Sequence, residues 1–420
     1  MTVWLFKDGE PPPVGPEPRR MRMAMLASAL AAQGADVHWV SSTFAHVGKR
    51  LYSSSDVVLS PDPGYSLHLL HAGQFTRNLS FRRYRFHQRF ARRVREYSRR
   101  LPAPDVIVCA FPLIDVAAWA VEYGLAHKVP VVVDVRDLWP DTMVDIFPSL
   151  LKPLARIALD RDFRNTRYAF TNATALSSMS HGVLRWALAK IPREQASDDR
   201  VFPIGFPART SRPAQSDPGL PEWLSRLASR KLFVYVGMLG VTYNLDVVVE
   251  AARLLAAQGA LDPHFVIIGT GPRLERINAA AATLPNVTAP GWLEQSAIQT
   301  ILGRACAGLL PWEGIADAVP NKFFEYIAAG LPVVSSAAGE LNELILHEGV
   351  GKTFSPTNPE SLAHAINQMC DDPEQTAAMS ARATALFNLR FREDLVYTQF
   401  ASYVRDLVAQ RHDSLGAPTI

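Results

Sequence analysis

The chain has 420 residues, 48% of them apolar and 20% charged, with a formal net charge of +3. That length exceeds one ordinary core, so two or three domains are expected, and so small a charge excludes a general polyelectrolyte partner. No uncharged apolar run reaches the ~20 residues that cross a bilayer, and the amino terminus lacks a basic-then-apolar leader.

Cys109, Cys306 and Cys370 lie far apart in apolar surroundings and read as reduced core residues. A cytoplasmic chain, peripheral at most to the inner face of a membrane, is the expectation. Val3 to Phe6 is a short apolar strand, residues 8–18 a loop rich in Pro and Gly, and Met21 to Gln33 a helix ended by Gly34. With the strand Val37 to Val40, this order opens an α/β domain.

Residues 77–100 carry ten arginines and one acid, Glu96, interleaved with Phe81, Tyr84, Phe86, Phe90, Val94 and Tyr97. A helix here presents an aromatic stripe beside a cationic face. Three readings compete: a solvated helix with snorkelling arginines, a surface for anionic lipid headgroups, and a nucleic-acid contact. The last is weakest, because nothing else in the chain is basic in this way.

Asp105 to Phe111 is a strand, Ile114 to His127 a helix, and Val129 to Val135 a strand running into Arg136-Asp137-Leu138-Trp139-Pro140. Arg136 stays protonated and cannot act as a base, but it can grip a pyrophosphate or a carboxylate through two nitrogens. Asp137 either positions a hydroxyl or caps the next turn. Leu150 to Ala169 reads as one helix, Ala173 to Ser177 as a strand and Val201 to Gly205 as a closing apolar strand. His181 has no paired ligand, so no metal is expected there. Residues 207–231, rich in Pro, Ser, Ala and Gly, form the linker.

Lys231 to Val236 restarts the pattern, with the loop Gly237-Met238-Leu239-Gly240 and a helix from Asn244 to Gln258. His264 to Ile268 runs into Gly269-Thr270-Gly271-Pro272, a second turn whose backbone amides can approach phosphate. The strand Ala307 to Leu310 stops at Pro311-Trp312. Asn321 is expected to cap a helix running from about Lys322 to Gly330, before a strand Leu331 to Ser335. Asp317 would hang in the loop at the strand's carboxyl end. Glu325 sits three residues after Lys322 on the same helix face, where it can accept hydrogen bonds from a diol. Taken alone, that spacing fits a solvated loop charge and a surface glutamate better. Pro359 to Cys370 and Pro373 to Leu386 are amphipathic helices, and Phe391 to Gln410 a last long one.

The stretch PWEGIADAVPNKFFEYIAAGLPVVSSAAGE, residues 311–340, follows V-G-x-x-G, I-I-G-x-G-P and NVTAPGW in that order. Together they resemble the retaining glycosyltransferases of family 4, and RDLWP resembles the same point in bacterial members that assemble surface polysaccharides (the fucosamine-transferase-like branch). The resemblance implies an α/β chain of the GT-B fold, two Rossmann-like domains facing across a cleft. Residues 1–206 would take the acceptor, 207–230 link, 231–390 hold the donor nucleotide, and 391–411 cross back as a helix. It implies transfer of a sugar from a nucleotide-sugar, UDP-linked by family frequency, to a glycan or polyprenyl-diphosphate-linked acceptor, with no metal and no further cofactor. It also favours anionic lipid as the partner of residues 77–100.

Residue by residue, the resemblance makes Glu325 the ribose ligand and Asp317 the sugar-side acid. Asp317 is one methylene shorter than the usual Glu, and Glu313 is its rival. Gly237, Gly240, Gly269 and Gly271 would offer amides to phosphate, Trp292 lies in the nucleobase segment, and Asp137 would position the acceptor hydroxyl. Family members carry an Arg and a Lys after the first glycine loop, where this chain has Met238 and Tyr243. Lys322 is the preferred substitute, with Arg136 or Arg273 helping. That departure keeps open a non-catalytic sugar-nucleotide-binding subunit, and a sugar-nucleotide epimerase shares the fold.

Overall fold

Short runs of β-branched and aromatic residues form the buried strands of two sheets, and the helices between them carry the chain from one parallel strand to the next. The computed structural model describes residues 1–14, 20–46, 48–61, 64–77, 80–208, 222–240, 242–260, 262–314 and 318–416, with side chains to 411. The loop expected at 8–18 and the linker expected at 207–230 lie partly outside these residues. The chain divides into one unit of Met1–Pro203 with Asp394 onward, and a second of Ile204–Glu393.

In the first unit the strands are β1 (Thr2–Phe6), β2 (Asp36–Ser42), β3 (Phe44–Ala45), β4 (Arg50–Leu51), β5 (Val57–Leu59), β6 (Tyr65–Leu70), β7 (Val106–Phe111), β8 (Val131–Val135), β9 (Ala175–Ser178) and β10 (Arg200–Val201). The helices are α1 (Arg22–Ala32), α2 (Phe81–Ser98), α3 (Ile114–His127), α4 (Asp141–Asp145), α5 (Lys152–Ala158), α6 (Asp160–Asn172) and α7 (His181–Leu188). The main sheet runs β10-β9-β8-β7-β1-β2-β6-β5, parallel except for the β5–β6 edge pair. Strand order reverses between β1 and β7, where Val3 faces Val37 on one side and Val106 on the other.

Three expectations change here. The single helix over 150–169 is a 3-10 turn at Ser149–Leu151 followed by α5 and α6, which part at Leu159. The strand expected over 201–205 is only Arg200–Val201. The aromatic stripe of α2 is largely core: Phe86, Phe90 and Val94 are buried, Tyr84 and Tyr97 half-buried, and Phe81 exposed.

The second unit comprises α8 (Glu222–Ser225), β11 (Lys231–Val236), α9 (Leu245–Ala257), β12 (Pro263–Ile268), α10 (Leu274–Thr283), β13 (Val287–Gly291), α11 (Gln295–Arg304), β14 (Ala305–Leu310), α12 (Asn321–Ala328), β15 (Val333–Ser335), α13 (Glu340–Glu348), β16 (Gly351–Thr353), α14 (Pro359–Asp371) and α15 (Pro373–Leu386). Its sheet is parallel throughout, in the order β13-β12-β11-β14-β15-β16. This is the Rossmann order, with its switch point between β11 and β14. Asn321 is not the cap of α12. Pro320 holds that position without a side-chain hydrogen bond, and Asn321 is the first helical residue. The last helix, α16 (Glu393–Gly416), belongs with the first unit, where Val396, Tyr397 and Phe400 join the core of Val3 and Leu5.

Candidate functional site

The second unit's switch point is built by backbone before any side chain acts. The loops after β11 and β12 lie against each other: Gly237 N–H donates to the Ile268 carbonyl at 2.9 Å and Leu239 N–H to Thr270 at 2.9 Å, while Gly269 N–H donates to Gly291 at 2.8 Å. Gly269 has φ +139°, and a Cβ there would fall 1.9 Å from the Gly237 carbonyl oxygen. Gly271, at φ +154°, would meet the Leu239 carbonyl oxygen at 2.6 Å. Both glycines are thus required by loop-on-loop packing. Gly240 sits in ordinary contact with Met238 and has no such requirement.

Gly237 answers to a side chain instead. Its φ is +134°, and a Cβ would sit 2.4 Å from Nζ of Lys322. Lys322, in the first turn of α12, lays its ammonium over the ring of Tyr243 at 4.1 Å and that of Tyr235 at 5.1 Å. Burial pulls its pKa down to about 8, and the Glu325 carboxylate pulls the other way. Tyr243, in one of the slots where a cation is missing, is therefore the floor under the cation that α12 supplies.

Glu325 is half-buried one turn farther on. Its neighbour Tyr326 fixes the helix: the hydroxyl accepts from Val236 N–H and donates to the Leu309 carbonyl, both at 3.1 Å. A Cβ at Gly308 would come within 2.3 Å of that ring, so β14 needs glycine for α12 to lie close. The loop after β14 is tied to the loop after β11 by Asn244 N–H to the Pro311 carbonyl at 2.7 Å and Glu313 N–H to Thr242 at 3.0 Å. The Glu313 carboxylate accepts from the Asn244 side-chain amide at 2.8 Å. Asp317 lies outside the described residues. Trp292 is exposed just past β13. Arg273 is drawn off to Asp246 at 3.1 Å, a carboxylate it shares with Arg276.

Arg136 in the first unit is also committed. Its Nε donates to Asp134 at 2.6 Å and its Nη1 to Glu10 at 2.5 Å, all three side chains being nearly or fully buried. Asp134 takes a bidentate contact from Arg22 at 2.9 and 3.0 Å and a hydrogen bond from Ser177 at 2.8 Å. Burial alone would raise its pKa, but Arg22 and Arg136 hold it well below the usual carboxylate range. Glu10 also accepts from Met23 N–H at the start of α1. Asp137 accepts from the adjacent Leu138 N–H at 2.8 Å but does not cap α4, whose N-cap is Pro140 without a side-chain bond, and burial raises its pKa against the pull of that bond and of Arg83. Beside it the Arg83 guanidinium covers Trp139 at 4.4 Å. The sequence reading missed Glu10, Arg22 and Asp134. The one local signal was an acid inside the apolar strand Val-Val-Val-Asp-Val.

The two units match two family models: residues 20–205 match a glycosyl transferase 4-like domain, and residues 230–372 match glycosyl transferases group 1. A GDP-mannose-dependent α-(1-6)-phosphatidylinositol dimannoside mannosyltransferase of Mycobacterium tuberculosis is 26% identical over 58% of this chain and 61% of its own length. The chain thus spans about three fifths of that relative. Sucrose-phosphate synthase from Thermosynechococcus elongatus superposes with a TM-score of 0.72 at 17% identity, covering 98% of this chain and 100% of that one. Anabaena Alr3699/HepE in complex with UDP does so with a TM-score of 0.64 at 14% identity, covering 97% and 100%. Paired domain matches, a doubled parallel α/β architecture and the late acidic motif agree: the chain belongs to the family 4 glycosyltransferases of the GT-B fold.

Proposed function

We propose that the protein transfers a sugar, with retention of anomeric configuration, from a nucleotide-sugar to a glycan or polyprenyl-diphosphate-linked acceptor in the making of a surface polysaccharide. The observation that carries this is Lys322. Its ammonium rests on two tyrosine rings against a glycine where any side chain would displace it, at the switch point where such sheets bind ligands. A diphosphate is the ligand whose charge answers it. Glu325, one turn on, takes the ribose hydroxyls, and Asp317 the sugar. The exposed Trp292 and the amides of Gly240 and Gly271 complete the donor side, while the Gly237 and Gly269 amides, expected to reach phosphate too, are spent on the Ile268 and Gly291 carbonyls.

In this reading the donor's anomeric carbon–phosphate oxygen bond breaks as the acceptor oxygen bonds the same carbon from the same face. The acceptor's proton passes to the departing diphosphate oxygen, so no protein nucleophile is required. Lys322 and the start of α12 stabilise the charge that grows on that oxygen. Arg136 and Arg273 keep structural duties, and Asp137 stands at the acceptor side.

UDP is the proposed carrier, supported by the UDP-bound fold neighbour. The mycobacterial relative's GDP-mannose makes GDP the rival. Titration of the protein with UDP and GDP, for wild type and Glu325→Gln, tests the reading. Wild type should prefer UDP, and the variant should lose about tenfold or more, since a hydrogen bond to a charged group is worth ~1.5–3 kcal/mol. Undiminished affinity in the variant would remove Glu325 from the site. Donor turnover without acceptor, yielding an isomerised sugar, would favour the epimerase instead.

A further inference from the structure

The segment that leaves the carboxyl end of β8 is apolar on the wrong side. Ile146, Phe147, Leu150, Leu151, Leu154 and Ile157 fall within twelve residues, spread over the end of α4, the 3-10 turn at Ser149–Leu151 and α5. Yet each is exposed, with Leu150 at 89%, Ile157 at 72% and Leu154 at 63%. Ala155 is the one residue that α5 buries. So dense a run of exposed large apolar side chains marks an interaction surface.

Its rim holds more cations than acids. Arg156, Arg161, Arg164 and Arg167 are exposed along α5 and α6, against Asp145, which pairs with Lys152, and Asp160, which pairs with Arg164. The first turns of α2 adjoin the same place: Tyr84 lies in the field of Asp162, Arg161 and Asp115, and Arg161 binds Asp115 at 3.1 Å. From there α2 adds the exposed Phe81, with the Arg85 guanidinium over its ring at 4.8 Å, and the exposed Arg82. Apolar side chains ringed by arginines fit a surface that offers acyl chains beneath anionic headgroups. They fit a second copy of this chain poorly, because a two-fold contact would set one cationic rim against its twin.

We propose that residues 146–157, with the first turns of α2, form an interfacial platform that settles on an anionic phospholipid bilayer without crossing it. No helix among the described residues is long and apolar enough to span. The platform begins one short helix, α4, after Arg136-Asp137, so it would bring a membrane-held acceptor near the edge of the first sheet where Asp137 stands. This rests on the acceptor being lipid-linked, and it moves the apolar part of the membrane contact from the aromatic stripe of α2 to α5.

The test is co-sedimentation of the full chain with vesicles of phosphatidylglycerol and phosphatidylethanolamine, and with vesicles of phosphatidylcholine alone. Wild type should bind the anionic vesicles at least about tenfold more tightly. The combined change Leu150→Glu, Leu154→Glu and Ile157→Glu should abolish binding. Arg82→Glu with Arg85→Glu should weaken it most at low salt. UDP affinity serves as the check that each variant is folded.

Equal binding to both vesicle types overturns the platform. So does a folded triple variant that binds anionic vesicles like wild type, or a wild-type dimer that the triple variant dissolves without any loss of vesicle binding. Vesicle binding with neither UDP nor GDP binding would instead fail the sugar-transfer reading and leave the platform standing.

Discussion

The two sheets of this molecule treat the cations at their carboxyl edges in opposite ways. At the carboxyl edge of β8, Arg22 and Arg136 are clamped between Asp134, Glu10 and backbone carbonyls, and almost none of this network reaches solvent. At the carboxyl edge of β11, Lys322 lies on ring faces beside a glycine, with Glu325 as the acid acting on it. The first arrangement spends charge on holding strands and loops together. The second keeps a desolvated ammonium whose charge is worth more once an anion arrives. Similar folds thus commit their cations to cohesion in one half and, on the reading proposed above, to ligand capture in the other.

The largest effect should come from the clamp. Asp134→Ala leaves two buried guanidinium groups without their shared carboxylate and should cost about 3–5 kcal/mol of the first unit's stability. Urea unfolding followed through the buried Trp4 and Trp39 measures it. UDP affinity should hold under native conditions, and a parallel loss would break the contrast. Next comes Lys322→Met, which keeps the stem on the tyrosine rings and removes the charge. UDP should bind about ten- to a hundredfold more weakly, since the lost contact is worth ~1.5–3 kcal/mol, while unfolding at neutral pH should need more urea, because the variant no longer buries a charge. Variant and wild-type affinities that agree would place the diphosphate elsewhere.

What could be read in advance divides along the same line. The elements of the proposed donor side were legible as a group because their spacing is local: Gly237, Lys322 and Glu325 stand in short motifs at strand ends, and the fold brings Gly237 and Lys322 into contact. The clamp was not, because the partner that occupies Arg136 is Glu10, 126 positions away. Only the folded sheet brings the ends of β1 and β8 together. Leu150, Leu154 and Ile157 mislead in another way. The segment read as one helix over 150–169 is a 3-10 turn and two short helices, and these three side chains point to solvent. Strands β5 and β6 escaped notice because Ser, Pro and Gly crowd their flanks. Tyr243 looked like a missing cation, and its use as a floor for Lys322 depends on α12 reaching back across the switch point.

The smallest effect sharpens the comparison through pH. Lys322 has a pKa of about 8 in the free protein against 10.5 for an ordinary lysine, chiefly from burial. Between those values the unfolded chain holds the extra proton, so this group's destabilising contribution is full below pH 8 and fades as pH rises toward 10.5. A diphosphate, fully ionised throughout that window, binds the charged ammonium and must raise its pKa. UDP affinity should therefore be flat from pH 7 to 8 and fall by up to about tenfold over the next unit, because each pH unit beyond the free pKa removes a factor of ten from the charged fraction. In Lys322→Met the same titration should be flat. A wild-type curve that stays level to pH 9.5 would mean that the ammonium does not face the phosphates. A fall retained in the variant would assign the proton to another group.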